Sequence, residues 1–222
     1  NMATLSQDAS FLIGKDPNFS NRYFEGFISE VAVFDYALSS TQVSSLYNSG
    51  SPINPMTLKP APIANYLLGG NASTGGDSTN TLSVPNVAVP DASVFDFDGT
   101  NDFVESSSPL NLTNKSFSLE TWIKWDGAAS RRVFFGHAEA NATKKNIHWR
   151  IYSNGMLRFD FYNSSIDSSV GAIEANTWHH LSITYDYDTS TCICYKNGQE
   201  LMQGTIGPYI GSVSNSCLLY TS

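Results

Sequence analysis

Charge is scarce in this chain of 222 residues: 14% are Asp, Glu, Lys or Arg, and acids outnumber bases by 20 to 12. A net charge of −8 with no Lys/Arg run repels phosphate backbones, which argues against nucleic-acid binding. Long hydrophobic runs are missing too. Nothing approaches the roughly 18 uninterrupted apolar residues of a membrane span, so insertion into a bilayer is not expected. No basic segment leads into an apolar one at the start, and no structural boundary marks either end, so the chain is expected to be an internal fragment of a longer product. Cysteine is limited to Cys192, Cys194 and Cys217, too few for a disulfide scaffold. Cys192 and Cys194 would share one face of a strand at a separation too large to bond. Either Cys217 bridges to one of them or all three are free thiols, and no nearby His or Cys completes a zinc set.

What the chain does have is 41% hydrophobic and 13% aromatic residues, enough for one large core, with Ser, Thr and Asn carrying solubility. From His179, Leu181, Ile183 and Tyr185 alternate with Ser182, Thr184 and Asp186, the period of a half-buried strand. A second run, Thr191 to Lys196, meets Asn197-Gly198, the dipeptide of a type I′ hairpin in which both residues take positive φ. Phe117 to Trp125 alternates most clearly, with Trp122 the odd member of its polar face. Further strands are expected at Ser10 to Ile13, Phe24 to Phe34, Ala64 to Leu68, Ser93 to Phe97, Phe103 to Glu105, Val133 to Gly136, Ile147 to Tyr152 and Leu157 to Tyr162. Asn154-Gly155 is another hairpin signal. The strand at Phe24 to Phe34 has no cleanly polar face, so cover on both sides is expected.

One helix is expected over Leu38 to Leu46, with Ser39 as N-cap, Gln42 closing a capping box and Leu38 stapled to Val43. Such a short helix must dock on a sheet. Ser51 to Pro62 holds four of the nine prolines and reads as a linker, and Gly69 to Thr81 as a mobile surface loop. Short strands joined by turns specify an all-β fold, an antiparallel two-sheet sandwich.

The run Phe97-Asp98-Gly99-Thr100-Asn101-Asp102-Phe103-Val104, then Phe117 to Lys124, Trp178 to Leu181 and Tyr195 to Gly198, resembles in order and spacing the laminin-G-like domains of the concanavalin A-like lectin/glucanase superfamily. The resemblance covers Ala61 to the end and implies a jelly-roll sandwich. The family's closing strands and helix are matched at the other end of the chain, by Phe11 to Gly14, Phe24 to Val31 and Leu38-Ser39, with Ser29 where the family has Asp. Residues 1–50 are therefore expected to be the end of a preceding repeat, 51–62 a linker, and 63–222 a domain lacking its own final strands. Residues 9–47 are expected to fold back and complete that domain.

By the same resemblance, the turn at Asp98 and Asp102 is a candidate calcium site, with Asp16, Asn18 and Glu30 as further oxygen donors if the tail docks. Trp178-His179-His180 reads as the head of a core strand, because adjacent histidines point to opposite faces. Aromatics on a lectin-like sheet are candidates to grip a sugar. Trp149, Arg150, Tyr152, Arg158 and Tyr162 are selected, with Trp122 and Tyr187 also considered. No strand carries the paired carboxylates of a glycosidase, Glu120, Glu139 and Asp160 being separate, and no nucleophile elbow, phosphate loop or HExxH helix occurs. Sequons at Asn18, Asn71, Asn111, Asn114, Asn141 and Asn163 fit export. The expectation is a non-catalytic adhesion or carbohydrate-binding module, extracellular or at the cell surface, whose partners are a glycan or glycoprotein and neighbouring domains of the same polypeptide. A structural spacer and a relative of glycoside hydrolases are the alternatives.

Overall fold

The computed structural model describes residues 11–19, 21–66, 74–76, 82–83, 90–91, 94–106, 110–128, 130–138 and 142–211. In chain order the elements are β1 (Phe11–Ile13), β2 (Glu25–Phe34), α1 (Ser40–Tyr47), β3 (Ala64–Tyr66), β4 (Thr74–Gly76), β5 (Leu82–Ser83), β6 (Pro90–Asp91), β7 (Val94–Asp98) and β8 (Val104–Ser106). They continue with β9 (Phe117–Trp125), β10 (Arg132–Ala138), β11 (Asn146–Ile151), β12 (Leu157–Asp160), β13 (Ser165–Asp167), β14 (Trp178–Asp186), β15 (Thr191–Lys196) and β16 (Gln199–Thr205).

Among the described residues these strands form two antiparallel sheets. One has seven strands in the order β13-β12-β11-β10-β1-β8-β5. The other has nine, β16-β15-β14-β9-β2-β3-β4, with β7 also on β2 and β6 on β7. The architecture is the expected all-β, concanavalin A-like jelly-roll sandwich with one short helix.

Alternation fills the space between the sheets. Phe117, Leu119, Ile123, Leu181 and Ile183 are all fully buried, and they face Phe134, Trp149, Phe159 and Phe161 from the other sheet in one continuous core. Each such side chain removed from water contributes about 1.5–3 kcal/mol. Cys192 and Cys194 lie in this core as free thiols, and burial pushes both well above the ordinary thiol range. Cys217 lies outside the described residues.

The segment from 11 to 34 is built into both sheets. β1 pairs with β10 on one side and β8 on the other. β2 lies against β9 along one edge, while its other edge meets β7 over Glu25 to Ile28 and β3 over Val31 to Val33. Its two faces are both covered: Ile28, Val31 and Val33 enter the inter-sheet core, and Ala32 and Phe34 lie under the helix.

The helix forms as its sequence specifies. Ser39 accepts from the Gln42 amide and the Gln42 side chain accepts from the Ser39 amide, a reciprocal cap. Left-handed Asn48 ends it. Val43 and Leu46 bury the apolar face against Ala32, Phe34 and Tyr195, on the outer side of the nine-stranded sheet. Residues 51–62 contribute to this roof, since Ile53 and Leu58 pack on the same cluster and Pro55–Thr57 forms a 3-10 turn.

Two local expectations change, and one strand was not expected. Within the loop expected at Gly69 to Thr81, Thr74–Gly76 is a strand paired with β3, and the rest of that loop lies outside the described residues. β13 has a single apolar residue, Ile166, too little pattern to read. At Asn154-Gly155 only Gly155 takes positive φ; Tyr152 bonds both Gly155 and Met156, giving a longer connection than a two-residue turn. At Asn197-Gly198 both residues take positive φ, at 53° and 73°.

Candidate functional site

The outer face of the seven-stranded sheet follows from strand parity. In β11 and β12, Trp149, Ile151, Leu157 and Phe159 point into the core, which leaves His148, Arg150, Arg158 and Asp160 on the other side. In register, Arg150 lies opposite Arg158 and His148 opposite Asp160. Two guanidinium groups across a ladder repel. Carboxylates offset this: Arg150 Nη2 is 2.5 Å from Asp160 Oδ2, and Arg158 holds Asp167 bidentately at 2.5 and 2.6 Å.

The loop after β1 packs onto this face. Asp16 is fully buried there; its carboxylate accepts from the Asn18 amide at 2.9 Å and from Arg22 Nη1 at 3.1 Å. His148 lies between two acids, Nε2 at 3.5 Å from Asp16 and Nδ1 at 3.2 Å from Asp160. Burial alone would lower the His148 pKa, yet the two carboxylates outweigh it and raise it. Burial alone would raise Asp16, but hydrogen bonding and charge from His148, with Asn18 and Arg22, hold it below the usual range. Two flanking carboxylates favour the imidazolium, so Nε2 donates to Asp16 and does not accept from the Asn18 amide nitrogen 3.3 Å away.

Phe19, Arg22, Arg131, Arg150, Arg158 and Tyr162, with His148 and Asp160, line a cleft of about 270 Å³. The Arg22 guanidinium lies 3.4 Å from the centre of the Phe19 ring. Beside the cleft, the Tyr152 ring has the guanidinium carbons of Arg158, Arg131 and Arg150 at 5.3, 5.7 and 5.9 Å. Arg131 has no carboxylate partner among the described residues. The cleft is thus a locally cationic, partly aromatic surface on an acidic chain.

A second cleft, of about 420 Å³, lies on the outer side of the other sheet between Trp122 and Trp178, with Ser29, Glu30, Gly50, Pro52 and Val94 completing its wall. The bulge in β2 falls between Ser29 and Val31, and Glu30 sits in it with φ of 50°. Burial, then the charge of Glu120, raises Glu30 to about 7, with His180 opposing. Next to it, under the helix, His180 Nε2 is 2.8 Å from Glu120 Oε2, and both residues are almost wholly buried. Tyr47 of the helix stacks over Trp122 and His180.

Arg150, Arg158 and Tyr162 come together as expected, with Tyr152 beside them. Trp149 is corrected: it is 1% exposed, packed against Phe134 and Phe159, and cannot touch a ligand. The expected metal set is corrected as well. Asp16 and Asn18 lie behind the arginine cleft, against its His148 and Arg22, and Glu30 lines the tryptophan cleft. Asp98 accepts from the Thr100 and Asn101 amides, and Asp102 accepts from the Asp98 amide, which is turn stabilisation. Among the described residues no three His, Cys, Asp or Glu side chains form a group able to hold a metal ion, so the five expected donors are not gathered into one set.

Phe19, Arg22, Arg131 and Trp178 were not selected by sequence. They sit in loops or at a strand end, where period-two patterning gives no orientation. His179 and His180 do separate as parity requires: His179 Nε2 is 3.3 Å from Glu174 and His180 pairs with Glu120.

A laminin-G-type family model, described as Concanavalin A-like lectin/glucanases superfamily, matches residues 98–220. No curated protein and no solved structure matches the chain.

Proposed function

Because the chain belongs to the concanavalin A-like lectin/glucanase superfamily, whose domains serve as carbohydrate-binding or structural modules, we propose that it is a non-catalytic carbohydrate-binding or adhesion module. Its site is the arginine cleft, and its ligand a glycan bearing carboxylate or sulfate groups. The observation that carries this reading is the convergence of Arg22, Arg131, Arg150 and Arg158 around exposed aromatic surface on a chain of net charge −8. Guanidinium forks match carboxylate and sulfate oxygens, and rings accept the apolar face of a pyranose. Sealing of Glu120 beneath the helix supports a binding role over hydrolysis, since hydrolysis needs two carboxylates open to the scissile bond.

The same reading places the module outside the cell or at its surface, in contact with neighbouring domains of a longer polypeptide. It takes residues 1–50 as the closing part of a laminin-G-like repeat that completes the sandwich of 63–222, which the pairing of β1 and β2 supports.

A glycan array tests it. Acidic glycans are expected to be retained over neutral ones, with or without a calcium chelator. An Arg131→Ala, Arg158→Ala chain should lose at least tenfold in affinity, consistent with about 1.5–3 kcal/mol for a charged hydrogen bond. Equal binding of neutral sugars, or no effect of the double variant, would remove the cleft from the account.

A further inference from the structure

The tryptophan cleft has features that the arginine cleft does not explain. Glu30 is a carboxyl facing a cavity, with no hydrogen bond or ion pair among the described residues. Its backbone occupies the left-handed region, which L side chains adopt at a cost, and the β-bulge there sets Glu30 off from the regular alternation of β2. On one side stands Trp122, stacked from behind by Tyr47. On the other stands Trp178, 38% exposed and backed by Phe27 at 6.3 Å between ring centres. A strained acid with no hydrogen bond or ion pair among the described residues, between two indoles, suits one kind of ligand: a cation carried on a ring or an apolar frame.

We propose that this cleft is a second, separate sugar subsite that takes an amino-pyranose, with the sugar ring on Trp178 and its ammonium at Glu30. The inference rests on the reading that the module binds carbohydrate, and assigns a different ligand to a different face.

Indole faces attract cations and the apolar faces of sugars alike, and an amino sugar offers both in one residue. A neutral sugar would leave the Glu30 charge unpaired in a half-buried setting, which is costly. Hydrolysis is not implied, because Glu120, the next carboxyl, is 2% exposed and already hydrogen-bonded to His180. The titratable groups that face Glu30 are Glu120 from β9 and His180 from β14. The helix side presents Tyr47, and Gly50, Pro52 and Val94 carry no charge. Burial, and after it repulsion from Glu120, keeps Glu30 partly protonated near neutrality until a cation arrives.

Isothermal titration with an unacetylated glucosamine tetramer and with its fully N-acetylated counterpart tests the proposal. The amino tetramer should bind at least tenfold more tightly at pH 7. Its affinity should fall severalfold between pH 7 and pH 5.5, because Glu30, raised to about 7, loses more charge over that range than the amine, already partly protonated at pH 7, gains. Glu30→Gln should abolish that pH dependence and the preference for the amine. Trp178→Ala, at an exposed strand end, should weaken both tetramers. Equal affinity for the two tetramers, a flat acid limb in the native chain, undiminished binding by Glu30→Gln or no binding at all would overturn it. Run in parallel, the Arg131→Ala, Arg158→Ala chain separates the two sites. If it loses acidic glycans but keeps the amino tetramer, the arginine cleft is supported and so, as a separate site, is the amino-sugar assignment. If the native chain binds acidic glycans but not the amino tetramer, only that assignment falls.

Discussion

The outer faces of the two sheets start from the same ingredients and end differently. Each carries an acid–histidine contact at its centre, Asp16–His148–Asp160 on the seven-stranded sheet and Glu120–His180 on the nine-stranded one. On the first, arginines surround the contact and a cleft opens beside it. On the second, α1 and the chain from Ile53 to Leu58 close over the sheet. The charged pair there is structural, and binding potential is displaced to the margin, where Glu30 and Trp178 remain accessible. The lesson is that what surrounds a buried charged pair decides the role of its face, and those surroundings come from residues far away in sequence.

The sharpest way to break this comparison is to remove one partner beneath the roof. Glu120→Ala leaves His180 buried without its acid and should cost about 3–5 kcal/mol in denaturant unfolding, as expected for an opened buried pair. A loss under 1 kcal/mol would mean that the helix does not seal the site.

On the seven-stranded sheet, Asp16→Asn should cost less, about 1–3 kcal/mol, because the amide is nearly isosteric with the carboxylate and Arg22 and Asn18 keep partial partners. Its signature is in pH. Asp16 is depressed in the folded protein, so its contribution is present above the unfolded carboxylate range and is lost as pH falls through the lower folded value. His148 is raised, so its contribution is complete below about pH 6.5 and fades as pH rises through its folded value. Native stability should therefore drop at both ends, below about pH 4 and above about pH 7, and the variant should flatten both limbs. Thermal unfolding across pH 2.5 to 9 decides the matter.

The smallest effect is expected at the roof's own edge. Ser39→Ala removes one half of the reciprocal cap and should cost about 1 kcal/mol, or about 2–4 °C in Tm, with the arginine cleft unaffected. A change in acidic-glycan binding in that variant would show that the two faces communicate.

Much of the sandwich was legible in the sequence because period-two alternation directly reports which side chains a core takes up. Phe117, Leu119 and Ile123 are fully buried for that reason. The helix was legible from Ser39, Gln42 and Leu38, since capping is local chemistry. Parity also suffices to separate Trp149 from Arg150 and Tyr152, which the choice of all three as ligand contacts overlooked. Trp122 looked anomalous on a polar face only because its cover, Tyr47, lies 75 positions earlier. The arginine cleft draws on Arg22, Arg131, Arg150 and Arg158, brought together by tertiary pairing with no common spacing. The position of Glu30 depends on a bulge, which no alternation can announce.

The placing of β1 and β2 carries one more consequence. The first two described strands are interior members of their sheets, and their neighbours β9 and β10 come about a hundred residues later. During synthesis, Phe11 to Phe34 therefore leaves the ribosome before those neighbours exist. At about 5–20 residues per second, that segment waits several seconds or more before either sheet can close. Throughout that interval its apolar strands are open to capture by a chaperone or by a sister chain on the same message.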